Sequence, residues 1–174
     1  IPLLLHVDIT WDNLIILSHL SASLIVALSG GFFYLLAKKV IASPPWRTKQ
    51  SQNDDKEAIL LTAIYLFATV NFAMVSQSPW QHGAVQFFTI LSLLFLYRGA
   101  GKTIDVFISG VFLGLAVLSR PTAGILLPFF ILLSIYIKKK EVLDKKLSVS
   151  GIADAVKPAM VLLTGLLPSI IFFI

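Results

Sequence analysis

Six apolar runs constrain this chain before any motif does: about residues 14–37, 58–75, 84–97, 104–118, 122–137 and 159–174. A helix needs ~20 predominantly apolar residues to cross a hydrocarbon layer, and each run approaches that length. None has the polar stripe of a helix lying on a soluble core, and Gly, Pro or charged clusters bound each one. The fourth and fifth runs are short, so they imply tilt or local thinning of the bilayer. With 57% hydrophobic and 13% charged residues, the reading is an all-α, polytopic transmembrane helical bundle of about six spans. Residues 1–174 form a single transmembrane domain in this reading.

The charges then orient the spans. Lys38, Lys39, Arg47, Lys49 and Lys56 share one loop, Arg98 and Lys102 another, and Lys138, Lys139, Lys140, Lys145, Lys146 and Lys157 a third. That places 13 of the 14 basic residues on one side. The positive-inside rule makes those loops cytoplasmic and puts residues 1–13, 76–83 and 119–121 on the extracytoplasmic face. The net charge of +5 is therefore a topology signal, and nucleic acid is excluded as a partner. Membrane lipids are the expected surroundings.

The first residues, Ile1-Pro2, lack a methionine, and the last, Phe172-Phe173-Ile174, stand inside an apolar run, so both ends read as cut from something longer. Ile1 to Leu5 is too short for a signal-peptide core and no basic residue precedes it. No cysteine is present, which removes disulfides, thiol catalysis and thiolate metal sites. Pro44-Pro45 breaks the first helix, and Asn53-Asp54-Asp55 is suited to cap the second. A short surface helix is expected around Glu141 to Leu147.

Arg120 is the one basic residue on the outer side, in Leu118-Ser119-Arg120-Pro121-Thr122-Ala123-Gly124. The other outer loop with unusual content is Ser76-Gln77-Ser78-Pro79-Trp80-Gln81-His82-Gly83. Pro79 and Gly83 are its turn-formers, and His82 and Gln86 fall at i, i+4 on one face of the helix that follows. The helices beginning near Ala84 and Thr122 both present N-termini outward, where unpaired N–H groups and the macrodipole attract anions. Pro121 suits a first helical turn. Arg120 adds a planar donor fork and His82 a titratable donor, which together describe a phosphate pocket. The residues assigned to substrate binding are Arg120, His82, Gln81, Trp80 and Gln86.

Bland readings stand beside these. Arg120 can snorkel to lipid headgroups, Trp80 can belong to the interfacial aromatic belt, and His82 can be a hydrogen-bonded packing residue. His19, beside Ser18 and Ser21, reads as an interhelical hydrogen-bonding residue, and Gly110 with Gly114 as a close-packing pair. Asp8 and Asp12 lie just before the first span, either as a capping pair with Asp12 at the N-cap or as catalytic carboxylates. Neither forms a recognised metal motif with His6, so no metal site and no cofactor are assigned, although a divalent metal stays open.

These stretches carry a resemblance. Leu20-Ser21-Ala22-Ser23-Leu24-Ile25-Val26-Ala27-Leu28-Ser29, then Ser78-Pro79-Trp80-Gln81-His82-Gly83, then Gly110-Val111-Phe112-Leu113-Gly114-Leu115-Ala116-Val117-Leu118-Ser119-Arg120-Pro121-Thr122-Ala123 resemble the polytopic GT-C glycosyltransferases. More narrowly, they are similar to the dolichyl-phosphate-mannose mannosyltransferase and aminoarabinose transferase branch. The match covers about residues 14–137; its two outer motifs are moderately specific and the spans between them generic. The resemblance implies a GT-C-like membrane enzyme that moves a sugar from a polyprenyl-phosphate donor to a lipid, glycan or protein acceptor at the outer face. It implies that Arg120, the basic residue of a Gly-Leu-Ala-x-Leu-x-Arg/Lys stretch, lies on the lipid-phosphate side. It also implies an acidic outer loop that activates the acceptor. That loop has no match here and is expected upstream of Ile1, with Asp8 or Asp12 as its tail.

Such a reaction leaves a phosphate whose growing charge must meet preplaced cations and N–H dipoles. A hydroxyl acceptor also needs a base. His82 positions a substrate first and serves as base second, because imidazole titrates near neutrality. A noncatalytic subunit or lipid-phosphate-binding scaffold would keep the pocket without the base. A secondary transporter would gather its polar residues at mid-membrane beside broken helices rather than at the outer ends.

Overall fold

The computed structural model describes residues 10–41, 53–68, 81–98, 102–144 and 152–171. Apart from Thr10, Lys102 and Arg120 these residues are all helical, and no strand occurs among them. Helix α1 is Trp11–Ile41, and α2 is Asn53–Ala63, continued by a π turn at Ile64–Ala68. Helix α3 is Gln81–Arg98 and α4 is Thr103–Ser119; a 3-10 turn, Pro121–Leu126, leads into α5, Leu127–Asp144, and α6 is Ile152–Ile171.

Two of these helices are long and apolar enough to cross a membrane, Trp11–Ile41 and the continuous Pro121–Lys139 segment. Thr103–Ser119 and Val156–Pro168 are shorter apolar helices. At ~1.5 Å per residue α1 reaches about 46 Å, more than the ~30 Å hydrocarbon core needs.

Small residues set the closest crossing. Helix α4 packs most extensively on α6 and α3. A methyl group on Gly110 would run into the Leu162 carbonyl oxygen, and one on Gly165 into that of Phe107. Bare glycines at both positions let the two backbones touch, so the close packing expected of Gly110 is made with Gly165 of α6, while Gly114 is buried. Around this crossing Leu96, Val106, Leu113, Phe130, Leu162 and Leu166 form the core.

Helices α3 and α4 are joined by a reciprocal pair. The Ser92 hydroxyl donates to the Ser109 carbonyl at 2.8 Å, and the Ser109 hydroxyl donates to the Ser92 carbonyl at 2.8 Å. Both serines are fully buried. Phe87 packs edge-on against Phe32 of α1, and Phe112 stacks between Phe88 and Phe95. The π turn places the Tyr65 hydroxyl 3.2 Å from Ser29 and stacks its ring on Phe33, while Leu66 lies against Gly30.

Charges gather at one end of the bundle. Lys38 pairs with Asp55 at 2.7 Å, and the Tyr34 hydroxyl donates to the same carboxylate at 3.4 Å. Hydrogen bonding between them raises the Lys38 pKa and lowers that of Asp55. Lys39 lies within electrostatic reach of Arg98 and of the buried Asp105. Large apolar side chains point outward elsewhere, among them Trp11, Ile15, Leu20 and Leu24 on α1 and Met160, Leu163 and Leu167 on α6.

Several sequence expectations change in detail. Thr10, not Asp12, caps α1: its hydroxyl accepts from the Asn13 N–H at 3.3 Å, and Asp12 lies inside the first turn. Gly83 belongs to the first turn of α3 and not to the loop before it. Glu141 to Asp144 continue α5 rather than forming a separate surface helix, and the remainder of that stretch lies outside the described residues. Helix α6 starts at Ile152, before the expected Ala159, and runs through Pro158 and Pro168, each of which removes one helical N–H. His19 is exposed, and Ser18 and Ser21 donate to carbonyls of their own helix, so the expected interhelical bond is absent among the described residues. Residues 69–75 of the second apolar run lie outside the described residues.

Candidate functional site

Pro121 shapes the end of α4. Proline clashes with a helical residue before it and drives that residue toward extended backbone. Arg120 obeys, with φ −156° and ψ 113°. Its N–H still donates to the Ala116 carbonyl at 3.0 Å, ending α4, and its carbonyl accepts from the Ala123 N–H at 2.9 Å, opening the 3-10 turn. The residue is thus a hinge with both backbone groups bonded and a half-buried side chain.

That side chain reaches the start of α3. Arg120 Nη1 lies 2.8 Å from both Nδ1 and Nε2 of His82, 38 residues away in sequence. Which ring nitrogen accepts from the guanidinium depends on the tautomer of His82. Among the described residues the other N–H groups of the guanidinium fork have no further hydrogen-bond partner.

Gln86 follows His82 by one turn on the same face of α3 and is half-buried. Gln81 opens α3, but its side chain lies outside the described residues, as do Trp80 and Asp8 altogether. Asp12 is exposed and distant. Phe32 of α1 meets Phe87 of α3, and Asp12 is 20 residues from Phe32 whereas His82 is five from Phe87. With the two helices running in the same direction, Asp12 lies roughly 20 Å beyond the level of His82. Among the described residues Asp12 is therefore not brought to Arg120 and His82.

Helix N-termini contribute unequally. Helix α3 opens beside His82, and the N–H groups of a first helical turn are the kind that attract an anion. The other start offers less than expected, because Pro121 has no N–H and that of Ala123 is bonded to Arg120. No group of three or more His, Asp or Glu that could hold a metal occurs among the described residues.

The sequence reading passed over Thr89. It lies seven residues from His82 on the same face of α3, and its Oγ1 is the one buried side-chain polar atom among the described residues without a hydrogen-bond partner. Other helical hydroxyls bond back to their own turns, as Thr62 does to Ala58 at 2.7 Å and Ser119 to Leu115 at 2.8 Å. Its i+7 spacing puts it on the His82 face, but nothing in the residue type marks the hydroxyl as unpartnered. Comparison with protein-family models, with curated proteins and with solved structures gives no match.

Proposed function

We propose that this chain is a multi-pass membrane domain that binds a lipid phosphate at its extracytoplasmic face, as part of a polyprenyl-phosphate-sugar-dependent glycosyltransferase of GT-C type. Six spans cross in alternation: the apolar portion of α1 ending before Lys38, then α2, α3, α4, the Pro121–Lys139 segment and α6. The Lys38, Asp55, Lys39 and Arg98 end is cytoplasmic.

One observation carries the reading: the single outer arginine and the outer histidine meet, at the N-terminus of a helix. A guanidinium with most of its donor fork open, an imidazole and first-turn N–H groups are the donor set a phosphate monoester or diester needs. The site also lies across the bundle from the charged end, about 24 Å along α3 from Arg98, which suits a ligand whose tail stays in the bilayer. The second reading, a noncatalytic lipid-phosphate-binding scaffold, is favoured by the lack of any Asp or Glu in the described part of α3, in the C-terminal half of α4 and in the 3-10 turn.

The test is titration of the detergent-purified protein with undecaprenyl phosphate. Arg120→Ala is expected to weaken binding at least tenfold, the loss of one charge-assisted contact of ~1.5–3 kcal/mol. Equal affinity in wild type and variant refutes the site. Sugar transfer from a lipid-linked donor by the full-length chain separates enzyme from scaffold.

A further inference from the structure

We infer that Thr89 determines the specificity of a second polar subsite, continuous with the Arg120–His82 pair, which takes a hydroxyl of the sugar carried by the lipid phosphate. This rests on the lipid-phosphate reading and adds to it the neutral part of the ligand, which cations do not recognise.

The observation is an unfilled hydrogen bond. Thr89 Oγ1 is buried and has no partner among the described residues. A hydroxyl inside a helix has a ready remedy, a bond to a carbonyl of the preceding turn. Thr62, Thr164 and Ser21 each take it, all at 2.7 Å. Thr89 does not, so its donor and its acceptor capacity are both left for another group. Such a group costs stability in the empty protein, and a ligand hydroxyl would satisfy it. The residue as a whole is only half-buried, and a turn about χ1 exchanges methyl and hydroxyl, which brings the oxygen to the open side.

The place of Thr89 in the bundle joins it to the outer site. His82, Gln86 and Thr89 fall at i, i+4 and i+7 on one face of α3. At about 100° per residue, Phe87 meets α1 roughly 140° round the helix from His82, while Ser92, Phe88 and Phe95 meet α4 roughly 80–140° the other way. The polar face thus turns away from both. Leu93 and Leu96 continue it toward the Arg98 end, and there they join the core shared with Leu126 of the 3-10 turn and Phe130 of α5. The strip therefore looks toward the segment that Arg120 introduces, on which α3 does not pack closely. Arg120 and His82 mark its outer end, and the leucines are its apolar floor.

The residue types divide the strip. Arg120 and His82 suit a phosphate, whereas Gln86 and Thr89 are neutral and offer both donors and acceptors, as a sugar hydroxyl does. No Asp, Glu, Lys or Arg stands on α3 between His82 and Arg98 to favour a second charge there. Thr89 lies about 10 Å along α3 from His82, a span that a sugar linked to the bound phosphate covers. An isoprenoid tail in the same place would leave the hydroxyl unbonded.

The experiment titrates phosphodiester probes of equal charge into the detergent-purified protein: undecaprenyl methyl phosphate, and undecaprenyl phosphate bearing glucose, mannose or galactose. Wild type is expected to bind at least one sugar-bearing probe about tenfold more tightly than the methyl ester. Thr89→Val keeps the side-chain shape, removes the hydroxyl and is expected to cut that preference about two- to tenfold, the loss of one hydrogen bond. Thr89→Ser keeps a hydroxyl and is expected to keep the preference. Thr89→Val should also unfold at a higher fraction of dodecyl sulfate than wild type, so stability and specificity move in opposite directions. A hydroxyl with a structural role alone would change stability and leave the probe ratio untouched. The inference is overturned if wild type binds sugar-bearing and methyl probes alike, if Thr89→Val keeps the wild-type ratio, or if Thr89→Ser falls to the level of Thr89→Val. Arg120→Ala tests the underlying reading separately, because it should weaken every probe; wild-type affinity for all of them would mean that the lipid-phosphate site itself is wrong, whatever Thr89 does.

Discussion

Replacing Gly110 by alanine tests the closest contact in the bundle, and with it the packing that holds the helix leading to Arg120. The added methyl would meet the Leu162 carbonyl oxygen and stand 3.0 Å from the Leu162 carbonyl carbon and 3.1 Å from Gly165 Cα. All three are backbone atoms, so no rotamer change relieves them and α4 must move away from α6. A gap of 0.5–1 Å forfeits a quarter to a half of the dispersion well of each atom pair it opens. The core leucines Leu113, Leu162 and Leu166 are fully or almost fully buried. At ~40–60 contacts each and ~0.1–0.2 kcal/mol per contact, losing a quarter amounts to about 5 kcal/mol. Contacts to other helices and repacking reduce that to about 2–3 kcal/mol net. Gly31→Ala and Gly124→Ala are the controls, since an added methyl at either meets nothing within 4 Å. In the helix interior Gly31→Ala should stabilise by about 0.5–1 kcal/mol through reduced chain entropy. Gly30→Ala should fall between, because its obstacle is the movable Leu66 side chain. Unfolding of the purified proteins by dodecyl sulfate in mixed micelles, followed by circular dichroism, orders the series. Gly165→Ala should cost as much as Gly110→Ala, and the double variant less than the sum, since the first methyl already parts the helices. If Gly110→Ala unfolds at the same denaturant fraction as Gly31→Ala, the close crossing is wrong.

The serine pair is a second test: each hydroxyl donates to the other residue's carbonyl and the two oxygens are 3.0 Å apart, so Ser92→Ala and Ser109→Ala should each cost about 1 kcal/mol and the double variant should differ from the sum in the same unfolding assay. Thr89→Val removes a buried hydroxyl without a partner and should raise stability by about 1 kcal/mol; a loss of stability would mean the hydroxyl is satisfied. The Lys38–Asp55 pair gives a pH signature with a defined sign. The lowered Asp55 pKa means its contribution is present above the ordinary carboxylate range and is lost as pH falls through the lower folded-state value. The raised Lys38 pKa means its contribution holds below the ordinary lysine range and is lost only as pH rises through the higher folded-state value. Stability measured against pH should therefore fall at the acid end in wild type and flatten there in Asp55→Asn, with no change near neutrality.

Helix identity was legible because apolar runs with punctuation at both ends need only length and composition, and the helices α1, α3 and α4 end within a few residues of the runs that announced them. Caps were harder to place. Thr10 and Asp12 are both acceptable N-caps by residue type, and only the bond from the Asn13 N–H decides between them. The start of α6 was also harder to place: the apolar run begins at Ala159, whereas the helix begins at Ile152 and passes through Pro158. Arg120 and His82 stood out separately as rare polar residues between apolar runs, but nothing in their spacing of 38 residues states that they touch. Contact depends on the α3–α4 pairing register, fixed by the Ser92–Ser109 lock and the phenylalanine stacks, and a serine at either position is unremarkable in sequence. Thr89 escaped notice for the same reason, since an unsatisfied hydroxyl is a property of surroundings and not of residue type.

The register explains why the arginine comes to rest where it does. Ser92 of α3 is level with Ser109 of α4, and the short connection between Arg98 and Thr103 makes the two helices antiparallel, so ten residues back from Ser92 and ten or eleven on from Ser109 reach the same height. Those positions are His82 and the Ser119–Arg120 step. Helical continuation past Ser119 would carry the arginine round the axis by about 100° per residue, with no reason to face α3. Pro121 prevents it: an extended Arg120 leaves the helical path at the level of His82, and its side chain crosses to the neighbouring helix instead of following its own. The Arg-Pro step, the serine lock and the histidine at the opening of α3 are thus three independent sequence choices that agree on one point in space. Agreement of that kind is what a binding site requires of its scaffold, because a snorkelling arginine needs none of the three.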